Sequence, residues 1–111
     1  WTFDHKDHVH FMLYKGTDII GYAHIQLWRE NRAAIRIIAI DETKRNHGYG
    51  GEFMHLIEKW LKLNGYTSVH TESSPAAVAF YKKLNYISMP FNDPDGYQGG
   101  PDDVALGKNL N

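Results

Sequence analysis

The stretch from Ile37 to Gly51 constrains this chain more than any other. It opens as an apolar strand, turns through a short polar segment, passes Arg45-x-x-Gly48-x-Gly50 and enters a helix. Glycines let a backbone approach a ligand closely, and the first turn of a helix leaves N–H groups without intrahelical acceptors. A strand that hands over to such a turn is a site for a phosphate-like anion. Spacing removes two familiar versions of it. A dinucleotide-binding turn needs a third glycine where this chain has Phe53, and a Walker loop needs Lys-Ser/Thr where it has Gly51-Glu52. A turn that merely starts a helix does not need Gly48, Gly50 and Gly51 together, since each glycine inside a helix costs about 1 kcal/mol relative to alanine.

The rest of the chain supplies a mixed sheet around that stretch. Val9–Tyr14 and Ile19–Trp28 are candidate strands either side of the turn signal at Lys15–Asp18. In the second, Tyr22, His24, Gln26 and Trp28 alternate with Ala23, Ile25 and Leu27, the period-2 pattern of a strand with one buried face. Ala33–Ile40 is a third strand, so the first forty residues predict an antiparallel meander. A helix is expected from Gly50 to Asn64, with Phe53, Leu56, Ile57, Trp60 and Leu61 as its apolar stripe and Asn64-Gly65 as its stop. Tyr66–Thr71 predicts a fourth strand. Ser74 as N-cap and Pro75 at the first position predict a second helix to Leu84, closed by Asn85. Tyr86–Met89 and Val104–Ala105–Leu106 are further short strands, separated by a polar loop from Asn92 to Asp103. The predicted order is β-β-β-α-β-α-β-β.

Length and charge bound what this sheet can serve. The 111 residues suit one domain, 1–111, and the opening on Trp1 suggests a domain of a longer protein. A net charge of -1 argues against a nucleic-acid partner, so an anion site must be local and made of backbone. No run approaches the roughly 18 apolar residues of a membrane span, which argues against a membrane partner. The absence of cysteine removes disulfides and a thiol nucleophile, and fits a reducing, cytoplasmic setting. His8-x-His10 and His70-x-Glu72 are the tight histidine pairs. The second has the His-x-Glu form of zinc deaminases without the cysteines these require, so no metal is expected.

Two motifs together resemble the Gcn5-related N-acetyltransferase (GNAT) superfamily. One is Arg45-x-x-Gly48-x-Gly50 after an apolar strand. The other is Ser74-x-x-Ala77-x-x-Phe80-Tyr81-x-x-Leu84-Asn85-Tyr86, similar to the family's Asn-x-x-Ala-x-x-Phe-Tyr-x-x-Leu-Gly-Phe. Each is weak alone; in this order, one helix and one strand apart, they are specific. The resemblance implies an α/β (α+β mixed sheet) protein with the acyl-CoA N-acyltransferase fold. It covers Val9 to the end, without the family's N-terminal strand and two helices. Ser74 replaces Asn and Asn85 replaces Gly, both compatible with a cap and a positive φ.

The same resemblance implies acetyl-CoA as co-substrate and a primary amine, small molecule or peptide/protein, as acceptor. The pyrophosphate would lie on the backbone of Arg45, Asn46, His47, Gly48, Tyr49, Gly50 and Gly51, with the Arg45 side chain adding a charge-assisted bond. The pantothenate arm would pair like an added strand with Ile38 and Ile40. Ser74, Ala77 and Tyr81 complete the coenzyme side, and Tyr81 would protonate the departing thiolate. The amine must first lose a proton, worth about 4–5 kcal/mol at pH 7. Ala34 stands where some members carry a glutamate base, which leaves Glu72, His24 and His70 as candidates. Asp93, Asp95, Asp102 and Asp103 read as a solvated loop or as an acidic rim for a cationic amine. An exposed edge at the first strand suits a homodimer or a fused partner domain. The rival reading is a non-catalytic acyl-CoA-binding module attached to another domain.

Overall fold

A computed structural model of the chain describes residues 7–45 and 47–110. The elements are β1 (His8–Lys15), β2 (Asp18–Trp28), β3 (Arg32–Ile40), α1 (Tyr49–Leu63), β4 (Ser68–Ser73), α2 (Val78–Lys83), β5 (Ile87–Ser88) and β6 (Val104–Asn109). The order is the one the sequence predicts. The strands form one sheet, β1-β2-β3-β4-β6-β5. β1, β2 and β3 make the antiparallel meander, β3 and β4 run parallel across the α1 connection, and β6 lies antiparallel between β4 and β5. Among the described residues no helix is long and apolar enough to cross a membrane.

One core lies between the helices and one face of the sheet, built on Ile25, Ile35, Met54, Ile57, Leu61 and Val69. Each such side chain contributes about 1.5–3 kcal/mol by leaving water. The α1 stripe differs from the expected one. Leu56 is exposed, whereas Met54 and Glu58 are buried. Glu58 can be buried because two distant groups satisfy it: the Tyr86 hydroxyl donates to it at 2.9 Å and Lys108 Nζ at 2.7 Å.

The expectation of a single buried face on β2 is corrected. His24, Gln26 and Trp28 are buried as well: on the opposite face Trp28 joins Ala34 and Phe91 in a second small core, His8 and His10 cover His24, and Arg36 lies on Gln26. The third strand is not regular either. His24 pairs with Ile37 but Ile25 pairs with Ile35, so Arg36 is an inserted residue, a β-bulge. The insertion reverses the alternation. Ala33 and Ile35 face the main core before it, and Ile38 and Ile40 after it, while Ile37 and Ala39 turn out to solvent.

Other boundaries move for local reasons. The fourth strand begins at Ser68, because the Tyr66 N–H closes α1 on Leu61 O and the Thr67 N–H bonds Asn31 O. The second helix is split into a 3-10 turn, Pro75–Ala77, and α2. The Ser74 side chain makes no cap hydrogen bond; its carbonyl accepts instead, from the Ala77 N–H and from Ser73 Oγ. Asn85 does take positive φ, 70°.

Candidate functional site

The sheet opens into a fork. β3 and β4 pair only from Arg32 with Ser68 to Ile35 with Thr71. Beyond that rung β3 stays with β2 and β4 stays with β6. The β4-facing edge of β3 from Arg36 to Ile40 is therefore left without a strand neighbour among the described residues. Backbone groups on such an edge are available to an extended, amide-bearing ligand. Ile38 and Ile40 lie on it with their side chains half-buried against the core, which leaves their main chain, not their side chains, facing that edge.

The glycine loop continues directly from that edge. The Asp41 side chain accepts from the Thr43 N–H at 2.9 Å and from its hydroxyl at 2.8 Å, which starts a short 3-10 turn over Glu42–Lys44. The Thr43 backbone hydrogen bond holds the Asp41 carboxyl below its ordinary range. Arg45 Nε donates back to Ile40 O at 3.4 Å. Asn46 lies outside the described residues. Gly48 caps α1 with φ 78°, a conformation that favours glycine. The first intrahelical bond runs from the Glu52 N–H to Gly48 O, so the N–H groups of Tyr49, Gly50 and Gly51 precede the ladder. His47 is exposed, and the Tyr49 ring carries Lys15 Nζ 5.0 Å from its centroid. This backbone geometry fits a pyrophosphate.

Gly50 has a second duty that spacing did not reveal. A Cβ there would lie 2.9 Å from Cε1 of Phe80. The glycine thus lets α2 close on the first turn of α1, with Ala77 half-buried at the same core and Ser74 exposed.

Two chemically different faces meet at the fork. On the helix side stands Tyr81, buried between Phe80 and Tyr86, whose ring centroids are each 5.2 Å away. Burial pushes its phenol pKa up, and a side-chain hydrogen bond with Thr71 partly offsets this. Thr71 is the last residue of β4 that pairs with β3, so the phenol reaches the crotch of the fork. On the other face Glu72 lines a cavity of about 190 Å³ with Ile35, Arg36, Phe91, Tyr97 and Asp103. Both Glu72 oxygens accept the Gly99 N–H at 3.1 Å. Asp103 Oδ2 accepts the Gly100 N–H at 2.9 Å.

The structure brings Tyr81 and Glu72 to opposite sides of one opening, and leaves His24 apart from them. His24 is on the sheet face away from Tyr81, fully buried, stacked on His10 at 4.6 Å and hydrogen-bonded to His8. Burial first, then the charges of His8, His10 and Arg36, bring its pKa down to about 4. Such an imidazole takes up a proton poorly at neutral pH. His70 bonds Ser68 Oγ at 2.8 Å and stacks on Trp28, and burial lowers its pKa too. Asp93 is neither a solvated loop residue nor part of a rim: its buried carboxylate pairs with Arg36 at 2.6 Å. Arg36 escaped the sequence reading altogether. The signal was present, a lone arginine inside the apolar run Ile35–Ile40.

The sequence model of the acetyltransferase (GNAT) family matches residues 1–86. Among solved structures, the chain is similar to Tetrahymena GCN5, with a TM-score of 0.83 and 16% identity over 96% of this chain and 71% of that one. It is also similar to the ribosomal-protein-S18-alanine N-acetyltransferase of Escherichia coli, TM-score 0.78, 18% identity, 96% and 72% covered. A third is the PaiA N-acetyltransferase of Thermoplasma acidophilum in complex with coenzyme A, TM-score 0.76, 14% identity, 93% and 61% covered. At these identities the likeness is one of fold. A search of curated proteins found no match.

Proposed function

The chain belongs to the acetyltransferase (GNAT) family, and from that premise we propose that it moves an acetyl group from acetyl-CoA to a primary amine by direct attack in a ternary complex. The observation that carries the proposal is the fork, with a buried phenol on one side of its last rung and a carboxylate-lined cavity on the other. Acetyl-CoA enters along the free edge of β3, its arm on the main chain of Ile38 and Ile40. Its pyrophosphate rests on the backbone from Arg45 to Gly51, and Ser74 and Ala77 flank it from the α2 side. The acceptor approaches from the Glu72 cavity. As the amine nitrogen bonds to the acetyl carbon, the carbon–sulfur bond breaks. Tyr81 gives the sulfur its proton, and Glu72, directly or through water, takes the proton the nitrogen loses.

The environments suit these roles. Burial keeps the Tyr81 phenol protonated at neutral pH, as a proton donor must be, while making it a weaker acid. Glu72 is half-buried, accessible from the cavity, and fixed by Gly99. His24 lacks that access and basicity.

Calorimetry with acetyl-CoA, followed by thiol release over an amine panel, tests the reading. Tyr81→Phe should lower kcat by about 10²–10⁴-fold, the usual worth of a positioned acid, while acetyl-CoA affinity holds. Unchanged turnover in that variant would remove Tyr81 from the chemistry. Binding of acetyl-CoA without turnover of any amine would favour a non-catalytic acyl-CoA-binding module, a reading supported by Ala34, which fills its strand position with a methyl group inside the Trp28–Phe91 core. No binding at all would overturn both.

A further inference from the structure

Arg36 has no part in the transfer chemistry above. It is nevertheless a charged side chain in an apolar strand, at the bulge, with only 9% of the side chain exposed. A guanidinium is buried at heavy cost unless its donors are satisfied. Here Nη2 donates to Asp93 Oδ2 at 2.6 Å, and Nε donates to Gln26 Oε1 at 2.8 Å, an oxygen that Nη2 also reaches. The rings of Phe91 and Tyr97 lie 5.4 and 5.3 Å from its central carbon. Asp93 is buried still more deeply, its side chain 1% exposed.

Asp93 in turn organises the loop that follows it. Its carboxylate accepts the Asp95 N–H at 2.8 Å and its carbonyl accepts the Gly96 N–H at 2.9 Å. Two further ties join the 92–103 segment to the sheet: Arg32 Nη1 donates to Asn92 O at 3.1 Å, and the Gly99 N–H donates to Glu72. A side chain at Gly99 would collide with the Asp103 and Glu72 carboxylates. The loop therefore seats its backbone directly on Glu72, and its register there is set upstream, where Asp93 is held.

We propose that Arg36 and Asp93 form a clasp that shapes the acceptor pocket. Arg36 is a positioning residue: through Asp93 it holds 92–103 so that Tyr97, Gly99 and Asp103 wall the cavity beside Glu72. The inference rests on reading that cavity as the acceptor side. The acetyl-CoA contacts assigned above lie on the β3 edge, the Arg45–Gly51 turn and the 74–81 segment, outside the 92–103 loop. Opening the clasp should then weaken use of the amine and spare acetyl-CoA binding.

Arg36→Met keeps the apolar stem and removes the donors, and Asp93→Asn keeps the shape and removes the charge. Hydrogen–deuterium exchange of the free protein is compared with the wild type. Amides of 95–100 should exchange about 10–100-fold faster, the fold-change of losing a charged hydrogen bond, with α1 unchanged. KM for n-butylamine or phenethylamine should rise by a similar factor, with the acetyl-CoA dissociation constant unchanged. Arg36→Lys should recover only part of the effect, because an ammonium cannot serve Gln26 and Asp93 as a planar fork does. Unchanged exchange over 95–100 in a folded variant overturns the clasp, and faster exchange with an unchanged amine KM overturns its role in the pocket. If Arg36→Met does not fold, Asp93→Asn decides. Exchange needs neither substrate. A wild-type protein that acetylates neither amine counts against the function proposed above, and exchange alone then decides the clasp.

Discussion

Gly50 and Gly51 sit side by side in the first turn of α1, and alanine at the two positions should behave differently. A Cβ on Gly50 would lie 2.9 Å from Cε1 and 3.3 Å from Cζ of Phe80; on Gly51 the nearest atom would be Leu84 Cδ2 at 3.6 Å, an ordinary contact. Both substitutions gain helix propensity, at most about 1 kcal/mol and less in a first turn. Both restrict the unfolded chain equally. These gains cancel when the two variants are compared with each other. What remains is the overpacking at Phe80, typically about 1–3 kcal/mol. Gly51→Ala should thus be neutral to about 1 kcal/mol more stable than the wild type, and Gly50→Ala less stable than Gly51→Ala by about 1–3 kcal/mol. Each kcal/mol moves Tm by roughly 4–8 °C in a domain of this size, so thermal scans and urea midpoints at constant m resolve the gap. Phe80→Leu in the Gly50→Ala background should return part of the loss, as expected for two groups in contact. Equal stability of the two alanine variants would refute the reasoning.

Three further outcomes follow from the buried polar groups and the glycine cap. Tyr86→Phe removes the hydroxyl that donates to buried Glu58 and leaves it with Lys108; a loss of about 1.5–3 kcal/mol in urea denaturation is expected, and a loss below about 0.5 kcal/mol would show that water replaces the hydroxyl. His24 and His70 are both held neutral, so their folded pKa values lie below the ordinary 6.5. The unfolded chain then binds more protons, and stability is complete above about pH 6.5 and declines as pH falls towards 4, by of order 2–3 kcal/mol for His24. Tm measured from pH 7 to 4.5 should fall, with a shallower slope in a His24→Leu variant; an identical slope would remove His24 from the effect. Gly48→Ala places a Cβ in open space but at φ 78°, so it should cost about 1–2 kcal/mol in urea denaturation from backbone strain alone; a neutral result would mean the cap relaxes.

The parts of this molecule that local chemistry decides were legible in its residues. The meander is written in alternation and turn signals, and the glycine loop in its spacing. Positive φ at Asn85, Gly48 and Gly65 follows from residues that tolerate it. The parts decided by tertiary partners were not. Glu58 looks like a solvent residue on a helical wheel, and becomes a core residue only when Tyr86 and Lys108 arrive from 28 and 50 positions away. Asp93 looks like one of several loop acids until Arg36, 57 positions earlier, claims it. Trp28 and His24 read as the polar side of an amphipathic strand, yet Trp28 is buried in a second core on that face and His24 beneath the rings of His8 and His10. At the site, Tyr81 and Glu72 could be nominated from their positions in the chain, but not the fork that separates them, since it depends on where β3–β4 pairing stops.

That stopping point and the bulge are adjacent, and their adjacency ties the fold to the site. Pairing with β4 ends at Ile35, and the next residue, Arg36, is the insertion in β3. Were Arg36 taken into the regular ladder instead of bulged, Ile37 and Ala39 would point at the core and Ile38 and Ile40 outward. Ile40 packs close to Gly21, where its Cδ1 is 3.1 Å from a would-be Cβ, so that register matters to the core under the free edge. The extra residue bends and twists its strand locally, next to the rung where β3 and β4 part. Its side chain, freed from cross-strand pairing, turns to Gln26 and Asp93. One inserted arginine thus sits at the junction of three features: the core register after it, the opening beside it and the loop wall across from it. Deleting Arg36 would close β3 into a regular ladder, Ile35 and Ile37 opposite Ile25 and His24, with Ile38 and Ile40 still inward. It should therefore spare the core register and disturb the opening and the loop wall, whereas Arg36→Met, which keeps the bulge, should disturb the loop alone.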